Sequence, residues 1–220
     1  LNDLSFNLSV KAKLDTFDVA NVVGFLPADK RKAKTIVFTA HYDHLGGIGD
    51  KVYFPGANDN ASGTSMLVAL ADHFSKQTKR KYNFLFIAFA AEEAGLVGSK
   101  HFVENKSYDL SKIELLLNLD IMGSGEDGIT VVNATEYPKQ FKKLVAVNDK
   151  LELLPQVKSR GPSYNSDHAP FHEKNVPSFF IYTMGSNKNY HDIYDTYENL
   201  SFQAYNNILN LLIEYISNGF

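Results

Sequence analysis

Five short apolar runs, separated by polar and glycine-containing segments, set the pattern of the chain. Runs of this length that end near Gly, Asn or Asp are typical of buried strands in a largely parallel sheet. The predicted strands are residues 35–39, 83–90, 115–119, 129–132 and 178–183.

Between and after these runs, apolar residues recur at the three- and four-residue spacing of amphipathic helices. Met66, Leu67, Leu70 and Phe74, for example, would share one face of a helix. The predicted helices are residues 61–76, 95–104, 138–150 and 202–217. Strands that alternate with helices in this way predict an α/β sandwich.

Two further segments lack any apolar period and contain Gly, Asn, Ser and Pro. They are residues 46–60 and 160–167, and their composition predicts loops longer than a simple connection requires. Because long ordered loops usually carry function, both are candidate positions for a functional site.

The size of the chain predicts one globular domain. It has 220 residues, of which 44% are hydrophobic and 21% charged, enough for a substantial core. We expect residues 1–220 to form a single domain. The sequence begins at Leu1 without Met, so we also expect a trimmed form from which an upstream segment or targeting signal is absent.

Charge, hydropathy and cysteine content exclude several classes of protein. The net charge of -3 is small and the basic residues are scattered, so no nucleic-acid partner is expected. No apolar stretch approaches the roughly 20 residues of a membrane span, so no span is expected. The absence of Cys excludes disulfides and thiol chemistry but leaves the compartment open.

Acidic residues are concentrated where predicted strands end or helices begin. The four clusters are His41-Tyr42-Asp43, Asn58-Asp59-Asn60, Glu92-Glu93 and Asn118-Leu119-Asp120. This edge is where α/β sheets build binding sites. Taken singly, the clusters are equally compatible with ordinary caps and turns, such as Asp59 capping a helix or Asp120 stabilising a turn. Their joint position favours a shared site.

Glu92 and Glu93 are the most informative pair. Two adjacent carboxylates after an apolar strand are costly unless a cation or a proton compensates their charge. Adjacent side chains point in different directions, so one can bind a metal ion while the other faces a reacting water. Without Cys, a zinc site must use imidazole and carboxylate. Two His and three acidic residues are more ligands than one tetrahedral ion can bind. This surplus favours two ions that share a bridging carboxylate.

Six motifs follow one another in order between residues 22 and 199. They are His41-Tyr42-Asp43-His44-Leu45-Gly46, Gly56-Ala57-Asn58-Asp59-Asn60-Ala61-Ser62-Gly63, Ala91-Glu92-Glu93, Asn118-Leu119-Asp120, Ser166-Asp167-His168 and His191-Asp192. This series resembles the M28 family of zinc metallopeptidases. The resemblance implies an aminopeptidase with a three-layer sandwich: a mixed, mostly parallel central sheet with helices on both faces.

The resemblance also implies two zinc ions per chain and a role for each motif. The implied ligands are His41 and Asp120 on one ion, Glu93 and His191 on the other, and Asp59 as the bridge. Glu92 would be the general base, taking a proton from the attacking water and passing it to the leaving amine. Asp43 would orient His41 through its second ring nitrogen. The implied substrates are peptides with a free amino terminus.

Some site residues keep two interpretations. Tyr190 and Tyr164 are both candidates for stabilising the oxyanion. Asp167 and His168 either line the substrate pocket or cap a helix that begins near residue 169. The resemblance further implies that the peptide bond after Asp59 is cis.

Two other functions are compatible with the pattern. A glutaminyl cyclase would use the same fold with one zinc and a pocket walled by Trp, but the chain contains no Trp. A non-catalytic binding module of this fold would have lost acidic ligands, and here all are present. No Gly-x-Ser-x-Gly sequence supports a serine hydrolase. The compartment stays open, and the resemblance favours an exported protein, periplasmic or extracellular.

Overall fold

The fold is described from a computed structural model covering residues 5–11, 13 and 15–219. Its strands are β1 Val22–Leu26, β2 Thr35–His41, β3 Gly47–Ile48, β4 Val52–Tyr53, β5 Asn83–Phe89, β6 Ile113–Leu119, β7 Gly128–Val132, β8 Val157–Ser159 and β9 Ser178–Met184. Seven of them form one sheet in the order β1-β5-β2-β6-β9-β7-β8, and β3 pairs with β4 separately.

The large sheet is mixed and mostly parallel. β2 pairs in parallel with both β5 and β6, and β6 pairs in parallel with β9. β7 and β8 are also parallel, whereas β1 with β5 and β7 with β9 are antiparallel. Because β5, β2 and β6 run side by side in one direction, their carboxyl ends meet at one edge of the sheet.

Helices cover both faces of the sheet. They are α1 Gly63–Ser75, α2 Val97–Glu104, α3 Pro138–Leu151, α4 Ala169–His172 and α5 Tyr205–Glu214. One hydrophobic cluster packs α1, α3 and α5 against strand positions such as Ile36 and Phe38. A second packs α2 and α4 against intervening positions such as Val37. The three-layer α/β sandwich is therefore confirmed. No helix in the described residues is long and apolar enough to cross a membrane.

The five predicted strands are present with small shifts at their ends. β2 extends to His41, which is therefore held rigidly as the last residue of a buried strand. The sequence analysis missed β1, whose apolar residues are interrupted by Gly24 and lie mostly exposed at the sheet edge. It also missed β3, β4 and β8, because two or three residues are too short to show a period.

The predicted helix starts are too early in three cases. α1 begins at Gly63 because Ala57–Ser62 form a π-helical turn in which Asp59 and Asn60 have non-helical φ and ψ. α2 begins at Val97 and α5 at Tyr205, each a few residues later than predicted. The predicted loop 46–60 therefore contains β3, β4 and this turn, whereas residues 160–167 contain neither helix nor strand.

Candidate metal centre

Five of the predicted site residues converge at the carboxyl-end edge of the sheet. His41 ends β2, Asp120 directly follows β6, and Glu93 lies shortly after β5. Asp59 comes from the π-helical turn before α1, and His191 from the segment after β9. The predicted metal ligands lie up to 150 residues apart in the sequence. The parallel strand order brings them into one cluster.

The Asp59 carboxylate faces two histidines, one with each oxygen. Its Oδ1 lies 3.2 Å from His41 Nε2, and its Oδ2 lies 3.1 Å from His191 Nε2. Each histidine has a second acidic neighbour: His41 Nε2 lies 3.5 Å from Asp120 Oδ1, and His191 Nε2 lies 3.2 Å from Glu93 Oε2. The cluster therefore consists of two groups of three donors with Asp59 in common.

The donor spacing fits zinc. Ligands bound at about 2.0 to 2.1 Å around a tetrahedral zinc ion lie about 3.3 Å from one another. The facing donor atoms here are separated by 3.1 to 3.5 Å. Each group of three leaves a position for a water molecule or a substrate oxygen, as catalytic zinc sites require.

Asp120 is held by one oxygen and leaves the other free. Its Oδ2 accepts the Ser166 hydroxyl at 2.9 Å, and Ser166 in turn accepts from Asn118 Nδ2 at 2.8 Å. Thr39 completes this chain by donating to Asn118 Oδ1 at 2.6 Å. Asp120 Oδ1 is buried and has no hydrogen-bond partner among the described residues. Since a buried carboxylate oxygen without a partner is costly, this atom is suited to a cation.

Burial and charge at the centre also favour a bound cation. Burial lowers the pKa of His41, but the neighbouring Asp120, Asp43 and Asp59 outweigh it and hold that pKa above its ordinary range. Burial raises the pKa of Glu93, and the nearby Asp59 raises it further. A metal ion would relieve both the desolvation and the repulsion between these carboxylates.

Asp43 connects the two halves of the centre. His41 Nδ1 lies 3.1 Å from the backbone oxygen of Asp43 and 3.7 Å from its Oδ1. The Asp43 carboxylate also accepts the backbone N–H groups of Glu92 and Glu93, at 3.0 and 3.1 Å. Burial raises the pKa of Asp43, but His41 and these two donors lower it below its ordinary value. Asp43 is therefore placed to orient both His41 and the glutamate pair.

The turn that carries Asp59 is bracketed by two asparagines. Asn60 donates from Nδ2 to the Leu119 carbonyl at 2.9 Å, and its Oδ1 accepts the Gly63 N–H at 3.0 Å. Asn58 Oδ1 accepts the Gly123 N–H at 2.8 Å. A Cβ atom on Gly63 would lie 2.3 Å from Asn60 Oδ1, so only glycine fits there. The predicted cis bond between Asp59 and Asn60 is confirmed.

Three residues at the centre have positive φ although they are not glycine. They are Ala91 at 56°, Ile121 at 63° and His191 at 53°. A left-handed conformation is unusual for such residues, above all for a β-branched one, and clusters at functional sites. Each lies at or next to a proposed ligand or base, and Ala91 and Ile121 lie where the chain leaves β5 and β6.

His44 is a neighbour of the centre that the sequence analysis left without a role. Its Nδ1 lies 2.9 Å from Glu93 Oε1, and its Nε2 is buried without a partner. His44, Asp59 and Glu93 also satisfy the spacing of a metal group. His191 Nε2 faces Asp59 and Glu93 together, whereas His44 contacts the other oxygen of Glu93. The signal for His44 was its place in the His41-Tyr42-Asp43-His44 motif.

A cavity of about 330 Å³ opens over the centre. Its lining residues are His41, Asp59, Glu92, Glu93, Asp120, Ile121, Arg160, Asn165, Phe180, Tyr182, Tyr190 and His191. Burial raises the pKa of Glu92 to about 8, with further contributions from nearby charged groups. A carboxylate with such a pKa exchanges protons near neutral pH, as a general base must.

The two candidate tyrosines differ in position. Tyr190 lines the cavity and its ring stacks on that of His191, with centroids 3.8 Å apart. Tyr164 does not belong to the cavity lining, and its ring lies 5.8 Å from that of His172. The geometry favours Tyr190 as the residue that reaches a substrate.

Asp167 and His168 also lie outside the cavity lining. Both are fully buried, and His168 Nε2 contacts the Ser163 carbonyl at 2.8 Å. Burial raises the pKa of Asp167 to about 7 and lowers that of His168 to about 4. Neither side chain caps α4. The structure thus buries both side chains, whereas the exposed Asn165 of the same segment lines the cavity.

The sequence model of peptidase family M28 matches residues 21–216, so the chain belongs to that family. It is 34% identical over 166 residues to Aminopeptidase YwaD of Bacillus subtilis, which covers 72% of this chain and 34% of the relative. It is 30% identical over 158 residues to a probable leucine aminopeptidase of Arthroderma otae, covering 69% of this chain and 44% of the relative. The chain therefore spans between a third and a half of these relatives.

Solved structures show the same fold. A zinc aminopeptidase from Bacillus subtilis, BSAP, superposes with a TM-score of 0.76 at 27% identity, over 89% of this chain and 49% of that one. A glutaminyl cyclase from an Acidobacteriales bacterium has the same TM-score of 0.76 at 22% identity, over 89% and 72% of the two chains. At that identity the likeness to the cyclase shows only a shared fold. The choice between the two activities therefore rests on the residues of the site.

Proposed function

We propose that this protein is a dinuclear zinc aminopeptidase that hydrolyses the first peptide bond of its substrates. The observation that carries the proposal is the Asp59 carboxylate, whose two oxygens face His41 and His191 at 3.2 and 3.1 Å. A single-metal enzyme needs only one of these groups. The aminopeptidases among its relatives support the same conclusion.

The residues that would hold the metal ions follow from this geometry. His41, Asp120 and Asp59 would bind one ion, and Asp59, Glu93 and His191 the other. Bound zinc would polarise the scissile carbonyl and acidify the attacking water. His44 and Asp43 would fix the orientation of Glu93 and His41.

Glu92 would move the proton. It lines the cavity, and its raised pKa of about 8 suits a group that accepts a proton from water and then donates it to the leaving amine. Tyr190 would donate a hydrogen bond to the oxygen on which negative charge develops. Glu92 and its acidic neighbours would also attract a protonated substrate amine, which supports substrates with a free amino terminus.

One experiment tests this function. The purified protein, loaded with zinc, is assayed on fluorogenic aminoacyl substrates and on the same substrates with a blocked amino group. We expect cleavage of the free substrates alone, loss of activity with a chelator, and two zinc ions per chain by elemental analysis. One zinc per chain together with cyclization of glutaminyl peptides would instead identify a cyclase.

The domain organisation of the active part is also a proposal. The two hydrophobic clusters lie on opposite faces of one sheet, and the proposed ligands come from both ends of the sequence. Both observations support residues 1–220 acting as a single catalytic domain.

A further inference from the structure

A guanidinium group lies in the wall of the cavity that holds the proposed metal ligands. Arg160 lines this cavity together with Asn165, Phe180 and Tyr182. Four carboxylates line the same cavity, those of Asp59, Glu92, Glu93 and Asp120. Yet the only side-chain partner recorded for the Arg160 guanidinium in the described part of the chain is Tyr182.

The position of Arg160 is fixed by its surroundings. Its backbone N–H donates to the Val131 carbonyl at 2.9 Å, and its own carbonyl accepts the Ala134 N–H at 3.1 Å. Its side chain donates from Nη1 to the Tyr182 hydroxyl at 3.1 Å. The guanidinium carbon lies 5.9 Å from the centre of the Tyr182 ring. Arg160 is exposed, but these contacts anchor its backbone to β7 and its guanidinium to Tyr182 in β9.

This anchoring leaves most of the donor capacity unused. A guanidinium has five N–H donors in a planar fork, and one bond to Tyr182 accounts for a single donor. The fork matches a carboxylate with two parallel hydrogen bonds. The neighbouring Asn165 has its Oδ1 occupied by the Ser163 hydroxyl at 2.5 Å, so its amide nitrogen remains as another donor.

We propose that Arg160 is a specificity-determining residue that binds a carboxylate of the substrate. This inference rests on the proposed aminopeptidase function, because it assigns the cavity to a peptide whose amine lies among the acids. In the wall of the same cavity, Arg160 would attract a negative group on that peptide. The substrate class is therefore a peptide that carries a carboxylate within reach of the scissile bond.

Two sources supply such a carboxylate. One is the side chain of an amino-terminal Asp or Glu residue, and the other is the terminal carboxylate of a dipeptide. Two matched pairs separate them: glutamyl against glutaminyl fluorogenic substrates, and Leu-Gly against Leu-Gly amide. The members of each pair differ by one negative charge and are otherwise nearly the same size.

The test compares the wild-type chain with Arg160→Gln, Arg160→Lys and the control Lys158→Gln. Lys158 is an exposed basic residue two positions earlier that does not line the cavity. For one pair, we expect Arg160→Gln to raise KM for the carboxylate-bearing member roughly 10- to 100-fold, the usual effect of losing a charge-assisted hydrogen bond. KM for its neutral partner should change less than about twofold. Arg160→Lys should restore part of the preference, and Lys158→Gln should leave it intact.

The same pairs are titrated by calorimetry onto zinc-loaded Glu92→Gln protein, with and without Arg160→Gln. This measures binding even if no substrate is turned over, so the failure of the aminopeptidase proposal is distinguishable from the failure of this one. A preference for the carboxylate that disappears with Arg160→Gln supports the inference. Equal binding within both pairs, or an equal loss for charged and neutral members, overturns it and leaves Arg160 as a support for Tyr182.

Discussion

The Asp195 carboxylate accepts the backbone N–H of Asp59, with 3.0 Å between Oδ2 and N. It also accepts the N–H of Asn58, at 2.9 Å from Oδ1 and 3.1 Å from Oδ2. The Asp195 carbonyl in turn accepts the Ala57 N–H at 3.0 Å. Because Asp195 is fully buried and lies four residues after His191, it ties the segment of one proposed ligand to the turn of the bridging one.

We therefore expect Asp195→Ala to weaken zinc binding roughly tenfold to a hundredfold, as loss of a supporting hydrogen bond at a metal site usually does. It should also lower the free energy of unfolding of the zinc-free protein by roughly 1 to 3 kcal/mol, because two buried N–H donors lose their acceptor. Calorimetric zinc titration and urea unfolding measure the two effects. Asp192→Ala is the matched control, since among the described residues the Asp192 carboxylate accepts only the Tyr194 N–H, at 2.9 Å within its own turn. Equal effects of the two substitutions would remove the special role of Asp195.

The adjacent glutamates should respond differently to substitution. Glu92→Gln removes the proposed base but no proposed ligand, so turnover should fall by several orders of magnitude while both metal ions are retained. Glu93→Ala removes a proposed ligand, so the zinc content should fall toward one ion per chain. Elemental analysis beside single-turnover kinetics measures both. A Glu92→Gln enzyme that keeps most of its activity would show that another group takes the proton.

Tyr190→Phe and Tyr164→Phe form a matched pair, because the two tyrosines are 62% and 57% exposed. Burial and the surrounding carboxylates raise the pKa of Tyr190 to about 12, so its hydroxyl stays protonated and available to donate. We expect Tyr190→Phe to lower kcat roughly 100-fold with little change in KM, as removal of an oxyanion donor does. Tyr164→Phe should remain close to wild type. The reverse result would transfer the role to Tyr164.

Those parts of the fold that depend on a local sequence pattern were predicted well. Continuous apolar runs located β2, β5, β6, β7 and β9, and acids at their ends located the centre, because parallel strands bring those ends together. Short elements such as β3, β4 and β8 escaped, since two or three residues show no period.

The remaining errors and omissions share a physical cause. The partnership of Asp195 with Asp59 spans 136 positions, and no local rule connects them. Asp167 and His168 were left between pocket lining and helix capping, and their burial follows from tertiary packing that no local pattern specifies. Arg160 and Tyr182 went unnoticed because one follows β8 and the other lies within β9, and neither belongs to a motif.

Buried His168 makes the stability of the fold depend on pH. Its ring lies 5.3 Å from that of Phe180, and Nε2 contacts the Ser163 carbonyl. Burial is the main reason that its pKa falls from 6.5 to about 4, and the charge of nearby His172 lowers it further. Between these two values the unfolded chain binds a proton that the folded chain does not. The contribution of His168 to the free energy of unfolding is thus fully present above pH 6.5 and is lost as the pH falls toward 4.

The size of the loss is roughly 3 kcal/mol by pH 4, from 1.36 kcal/mol per pKa unit. His168→Gln keeps a donor for Ser163 and does not titrate, so its unfolding free energy should fall less than that of wild type over this range. Asp167 acts with the opposite sign, since its folded pKa is raised to about 7, but it is present in both proteins and cancels in the difference. Urea unfolding of the zinc-free proteins at pH 7, 5.5 and 4 measures the difference, with exposed His101→Gln as the control. Parallel curves for wild type and His168→Gln would mean that His168 binds its proton equally well in the folded and the unfolded protein, so that its pKa is not lowered by folding.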